Sequence, residues 1–264
     1  MSIKQYACAK GVDFKYAKGK TDIYDNTFHL CFELFLLLEG NVILITDVGR
    51  VSLRPYQLAI IPPGKYHQFV VQNNLEAYER CVLNISPDLI DAQILKNALA
   101  DKELLTLPHD SRVLYDFLYL KELLEQDRGS DLLYILPAIA INILFGLKNT
   151  ESTVCVTSSQ PCSLSQKIVT YINHHYTENL DLEQISQRLY ISVSTLCHTF
   201  KSDFGITVKQ YIMQKRMNAA RLAIQNGEGA EDVCRKIGFH NYSAFFRAYK
   251  KQFGVNPSKN KRFH

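Results

Sequence analysis

The chain has 264 residues, 47% hydrophobic and 21% charged, enough for one large or two ordinary domains at ~100–200 residues each, which excludes a disordered tail or a small disulfide scaffold. The formal charge of +4 hides an asymmetry. Residues 1–161 carry 15 Lys/Arg against 19 Asp/Glu, and residues 162–264 carry 15 against 7, so an acidic portion (−4) precedes one at +8. A field of that sign attracts polyanions, nucleic acid first among them, and the acidic remainder has no such reason to bind one.

Seven cysteines (8, 31, 81, 155, 162, 197, 234) are odd in number and scattered. None forms a CxxC pair or a zinc-ligand spacing, so they read as reduced, mostly buried thiols of a cytoplasmic protein. The opening MSIKQYACAKGVDF lacks the apolar core of a signal peptide. The longest apolar stretch, residues 132–147, contains Pro137 and Asn142. It falls short of the ~20 residues a bilayer requires, and reads as a buried or subunit-interface helix rather than a membrane span.

Taken in order, the lysines at 4, 10, 15, 18 and 20 mark a solvated N-terminal arm. Residues 28–83 alternate short β-branched and aromatic runs with Gly, Pro, Asn and Asp, the pattern of a small sandwich or barrel over about 22–85. From about Pro87 the apolar residues fall three and four apart, predicting helices over about 88–148, among them ALADKELLTL, RVLYDFLYLKELLEQ and DLLYILPAIAINILFGLK. The last is expected to start at Ser130 or Asp131 and to kink at Pro137. Residues 149–163 are Ser/Thr-rich and contain Pro161, a linker composition, so the domains are predicted as 1–148 and 164–264.

The second domain reads as helices over about 164–176, 182–189, 193–203, 207–225, 229–236 and 241–252, with a short turn after Pro257. It contains an internal repeat. Thr199–Gly205 recurs as Ala248–Gly254 at an offset of 49, and Ile185-Ser186-x2-Leu189 recurs as Val233-Cys234-x2-Ile237 at an offset of 48. Each copy reads helix, tight break, helix. Ser186 and Cys234 are small enough for a second helix to cross closely, the breaks fall at Tyr190 and Gly238, and Leu196, Phe200, Phe245 and Tyr249 point inward. This is helix-turn-helix grammar, in which the second helix enters the major groove.

These residues resemble the AraC/XylS family of transcription regulators over about 164–262. The second unit carries Ile237-Gly238-Phe239-x3-Ser243-x-Phe245-x-Arg247-x-Tyr249-Lys250-x2-Phe253-Gly254-Val255-x-Pro257. The first carries Ser192-x3-Leu196-x3-Phe200-Lys201-x3-Gly205, and the joining helix carries Tyr211-x4-Arg216-x3-Ala220. The resemblance implies an all-α domain of two helix-turn-helix subdomains joined by one long helix, reading successive major-groove segments. It departs at Tyr190, where the family often has Gly, and at Tyr249, where Phe is usual. The N-terminal part is similar to the family's cupin-like sensor barrel, with His29-x3-Glu33-x6-Gly40 and Pro62-x-Gly64-x2-His67 at cupin spacing. Metal-binding cupins add a histidine where Thr27 stands, and Val71 ends the second motif where Asn is common, which leaves His29, Glu33 and His67 as a facial-triad set at best; the family's sensors mostly lack a metal, so no metal and no cofactor is expected.

Outward positions of the two recognition helices assign base reading to Ser194, Cys197, His198, Tyr242, Ser243 and Arg247, with Arg247 suited to bidentate contact with guanine. Lys201, Lys209, Arg216, Lys250 and Lys251 are assigned to the DNA backbone, although Arg216 equally fits a pair within the domain. His29, Glu33, Arg54, Tyr66 and His67 are candidate effector-pocket groups, or else satisfied structural side chains. Helices 111–127 and 131–148 have apolar stripes broad enough both to cover the barrel and to pair with a second copy. The expectation is a non-enzymatic, sequence-specific regulator, an activator controlled by a small-molecule effector. The resemblance implies RNA polymerase as a further partner. A metal-dependent cupin enzyme with a DNA-binding appendage and a regulator without ligand remain the alternatives.

Overall fold

A computed structural model describes residues 3–19, 29, 31–46, 49–72, 75–87, 89, 95, 98–99, 102–148, 150 and 163–259. Lys20, Thr27, Cys155, Cys162 and nearly all of 149–163 lie outside them. The chain divides into two compact units, Met1–Thr157 and Ser158–His264.

The first unit is β-rich. Strands β1 (Ile3–Ala9), β2 (Val12–Lys18), β3 (Phe32–Glu39), β4 (Asn41–Thr46), β5 (Arg50–Leu53), β6 (Gln57–Ile61), β7 (His67–Gln72), β8 (Glu79–Ile85) and β9 (Leu104–Thr106) form two antiparallel sheets, ordered β1-β2-β8-β3-β6-β9 and β5-β4-β7. The sheets close on each other through Phe35, Leu37, Ala59, Ile61 and Leu104 on one side and Val42, Leu44, Leu53 and Phe69 on the other. Phe35 and Phe69 stack with centroids 3.8 Å apart. On its other face the large sheet packs through Phe14, Leu34, Leu36, Leu83 and Ile85 against helices α1 (Arg112–Glu125) and α2 (Gly129–Lys148).

Two expectations are corrected here. The lysine-rich N-terminus is no arm: Val12, Phe14 and Tyr16 alternate inward and make β2 an interior strand between β1 and β8. The end of ALADKELLTL is not helical. Leu104–Thr106 pairs with the edge of β6, which sends Leu104 between the sheets and Leu105 under the helices, a burial that only the period of two provides.

Helix α2 continues across Pro137. By length and composition it could cross a membrane, but Leu132, Leu136, Ala140, Ile143, Leu144 and Leu147 are buried in the sensor core. The Asn142 amide, anomalous in so apolar a run, donates to the buried Asp116 carboxylate of α1 at 2.7 Å, and Arg112 pairs with the same carboxylate at 3.0 Å. A Cβ on Gly146 would lie 2.7 Å from Val113, so glycine there permits the close α1–α2 crossing.

The second unit is all helical among the described residues: α3 (Leu164–His175), α4 (Leu182–Arg188), α5 (Val193–Phe204), α6 (Val208–Gln225), α7 (Ala230–Lys236) and α8 (Tyr242–Phe253), then a 3-10 turn at Pro257–Lys259. Ser163, Asp181, Ser192, Thr207 and Asn241 supply side-chain N-caps. Gly205 (φ 68°) and Gly254 (φ 71°) end α5 and α8 in the left-handed conformation. Helix α6, 18 residues or about 27 Å at ~1.5 Å per residue, joins the two halves.

Candidate nucleic-acid interface and effector site

Both helical pairs are built by the same local chemistry. After α4 the Tyr190 N–H donates to Gln187 O (3.2 Å) and the Ile191 N–H to Ser186 O (3.0 Å); after α7 the Gly238 N–H donates to Arg235 O (3.3 Å) and the Phe239 N–H to Cys234 O (3.1 Å). Each is a Schellman turn with its left-handed residue at Tyr190 (φ 56°) or Gly238 (φ 80°). Ser186 and Cys234 are buried at the crossings, and Leu196, Phe200, Phe245 and Tyr249 are inaccessible to solvent. Met217, Ala220 and Ile224 of α6 line the second core, while Tyr211 packs its ring edge-on to Phe200 of the first.

With the apolar faces thus occupied, α5 leaves Ser194, Thr195, His198 and Lys201 exposed and Cys197 half-buried, and α8 leaves Tyr242, Ser243, Arg247 and Lys250 exposed. Lys209 and Lys251 are also exposed. Among the described residues Arg247 makes no ion pair, including with Glu231. Polar donors standing on the outward faces of two capped helices can reach base edges, and the lysines can meet phosphates.

Arg216 is the exception, and its assignment to the DNA backbone is corrected. Its Nε donates to Tyr176 O and its Nη2 to Glu178 O, both at 2.6 Å, and its guanidinium lies 5.9 Å from the Phe239 ring centroid. Burial lowers its pKa. The side chain clamps the loop after α3 onto the turn of the second helical pair, where Thr177 O crowds the position a Cβ on Gly238 would take.

In the sensor, His29, Glu33 and His67 converge. Glu33 is the second residue of β3, on the same face as Phe35 and Leu37, between the sheets, and His67 opens β7 of the facing sheet. Nε2 of His29 is 3.0 Å from Glu33 Oε2, and Nε2 of His67 is 3.6 Å from Oε1. The imidazoles meet edge to face, with centroids 4.8 Å apart, and one ligand atom from each of the three residues lies within 4.8 Å of the others. Burial alone depresses the His29 pKa, but the Cys31 thiol and the Glu33 carboxylate beside the ring outweigh it and push it up to about 10. Burial would raise the Glu33 carboxyl, and the two imidazoles instead hold it well below the usual carboxylate range.

Tyr66 is fully buried next to His67, its hydroxyl 3.4 Å from Gln68 Oε1. Arg54 does not join the group: it is exposed in the turn between β5 and β6, where its backbone N–H donates to Gln57 Oε1, so its place in the pocket is withdrawn. Two polar residues that sequence reasoning missed occupy the interior. Asn84 is the cross-strand neighbour of Glu33 and Arg80 that of Leu37, which puts both on the inner face of the large sheet, each 8% exposed. The Arg80 guanidinium lies 4.6 Å from the Tyr78 ring centroid, and burial lowers its pKa. The alternation of Arg80, Val82 and Asn84 against Cys81, Leu83 and Ile85 was visible, but it reads as a strand with one face in water.

Residues 10–135 match the AraC-like ligand-binding domain and residues 185–262 a helix-turn-helix domain. An HTH-type regulator of Escherichia coli strain K12, YdiP, is 31% identical over 100 residues, 38% of this chain and 33% of the relative. The virulence regulon transcriptional activator VirF of Yersinia enterocolitica is 23% identical over 239 residues, 84% of this chain and 79% of VirF. The crystal structure of ToxT from Vibrio cholerae O395 aligns over 98% of this chain and 95% of its own at 16% identity, with a TM-score of 0.40. Matches such as YdiP and the Msm operon regulatory protein of Streptococcus mutans span about a third of those relatives' length. With a ligand-binding domain of the AraC type followed by a helix-turn-helix domain, the chain belongs to the AraC family.

Proposed function

We propose that the chain is a sequence-specific, non-enzymatic transcription activator of the cytoplasm that binds duplex DNA through α5 and α8 and is controlled by a small molecule held between the sensor sheets. The observation that carries this reading is the repeated unit: two identically closed turns present two exposed polar helix faces, and both lie in the portion of the chain that carries +8. Arg247 reads a guanine, Ser194, Cys197, His198, Tyr242 and Ser243 contribute shorter-range contacts, and Lys201, Lys209, Lys250 and Lys251 grip phosphates. Activation is supported by the likeness to the activator VirF over 84% of this chain and 79% of that relative and requires contact with RNA polymerase.

The sensor also pairs with a second copy through the outer face of α1 and α2. Tyr115, Leu118, Tyr119, Leu133, Tyr134, Ile141 and Phe145 remain 38–85% exposed there, an apolar surface larger than single exposed residues explain. Footprinting of the full chain on genomic DNA, with and without metabolites and over a salt series, tests the reading. Protected sites whose affinity falls steeply with salt are expected; salt-independent binding, or no preferred site, refutes it.

A further inference from the structure

We propose that His29, Glu33 and His67 bind a divalent first-row transition-metal ion between the two sheets of the sensor. The donor set is two imidazoles and one carboxylate, the composition that holds such an ion on one face and leaves its other positions open. Two donors each about 2.1 Å from a metal stand about 3.0–3.4 Å apart; the separations from Glu33 to His29 and His67 are 3.0 and 3.6 Å.

The ring orientations point the same way. Nδ1 of His29 faces Cys31 O at 2.9 Å and Nδ1 of His67 faces Lys65 O at 3.4 Å. A carbonyl only accepts, so each Nδ1 is taken up by its hydrogen bond and it is the Nε2 of each ring that is turned toward Glu33. The buried Nε2 of His29 has no hydrogen-bond partner despite lying 3.0 Å from the carboxylate: the in-plane direction of the nitrogen misses the oxygen. Two Nε2 atoms and a carboxylate, all within 4.8 Å of one another, therefore face one space with little water access, an arrangement that a cation completes by drawing the ligands slightly together. Asn84, opposite Glu33 in the ladder and 92% buried by its 8% exposure, leaves Oδ1 without a hydrogen-bond partner on the same sheet face, available to a metal-bound water. The expectation of no metal rested on the histidine absent at position 27 and on the sensors of the resembled family mostly lacking one; three converging ligands suffice for a facial site.

The test uses the full chain, stripped with a chelator and titrated with Co(II). One equivalent should bind with visible d–d absorption, and Glu33→Gln and His67→Gln should each weaken it at least 10-fold. Wild-type stoichiometry and affinity in both variants would put the metal elsewhere and overturn the proposal, as would absence of a bound equivalent. X-ray absorption on the Co(II)-loaded wild type does not depend on the variants folding: two imidazoles in the first shell support the site, and an all-water shell overturns it. Neither readout involves DNA, so a negative result leaves the regulator reading standing.

Discussion

Tyr190 and Gly238 occupy equivalent positions in the two repeats and share one backbone conformation, yet replacing them has unequal consequences. Gly238→Ala forces a Cβ to within 2.4 Å of Thr177 O and 3.1 Å of the Arg216 Nη2, where backbone rather than a flexible side chain must move. The left-handed conformation costs alanine about 1–2 kcal/mol relative to glycine, and overpacking adds about 1–3 kcal/mol, for about 2–5 kcal/mol in all. At an m-value of about 1.5 kcal/mol/M, a loss of about 3 kcal/mol lowers the urea midpoint of the helical unit by about 2 M. Tyr190 is 94% exposed. Tyr190→Gly therefore relieves about 1 kcal/mol of backbone strain and gives back a similar amount in chain entropy, leaving stability within about 0.5 kcal/mol of wild type. Urea unfolding of residues 158–264, followed by circular dichroism, measures both. A Gly238→Ala variant within 1 kcal/mol of wild type would refute the argument that the Thr177 carbonyl and the turn are in rigid contact.

Arg216→Lys should cost about 1–3 kcal/mol of stability, because an ammonium does not span the Tyr176 and Glu178 carbonyls; the salt slope of DNA binding should stay unchanged, and a slope reduced by about 1 would return Arg216 to the phosphate contacts. Arg247→Ala should relax discrimination at one base pair by about 1–3 kcal/mol, whereas Lys250→Ala should weaken all sequences alike, a contrast read by binding to a mutated-site series. Glu79 accepts from Tyr16 at 3.0 Å and pairs with Lys18 at 2.9 Å; burial would raise its carboxyl, and these partners hold it below its ordinary value of 4.5. Its stabilising contribution is thus present at neutral pH and lost as pH falls through the acid range, so Glu79→Gln should flatten the acid limb of the sensor's melting profile. Tyr134→Glu, at a position 85% exposed, should shift the full chain toward monomer in sedimentation without lowering its melting temperature.

What was legible follows from where each signal sits. The helices of the second unit lie where the apolar periodicity predicts, because five of the six have a side-chain N-cap and each buries its own apolar residues. His29, Glu33 and His67 were legible only through the likeness of their spacing to the cupin motifs. Arg80 and Asn84 were not, because alternation in β8 says that one face differs from the other without saying that the polar one looks inward. The lysines at 10, 15 and 18 masked the inward alternation of Val12, Phe14 and Tyr16, and Leu104–Leu105 read as helix because the free edge of β6 that recruits them is far away in sequence. Arg216 was indistinguishable from its cationic neighbours: only the fold brings two bare carbonyls to it.

The position of β2 bears on how the protein can be shortened. Had the first twenty residues been a solvated arm, removing them would cost the fold almost nothing. As an interior strand, β2 covers the whole hydrogen-bonding edge of β8 from Glu79 to Ile85. A chain truncated past Lys18 would bare seven consecutive backbone positions beside an apolar face, the template on which sheets add strands from neighbouring molecules. Insolubility in such a truncation would reflect an uncovered edge rather than a lost signal.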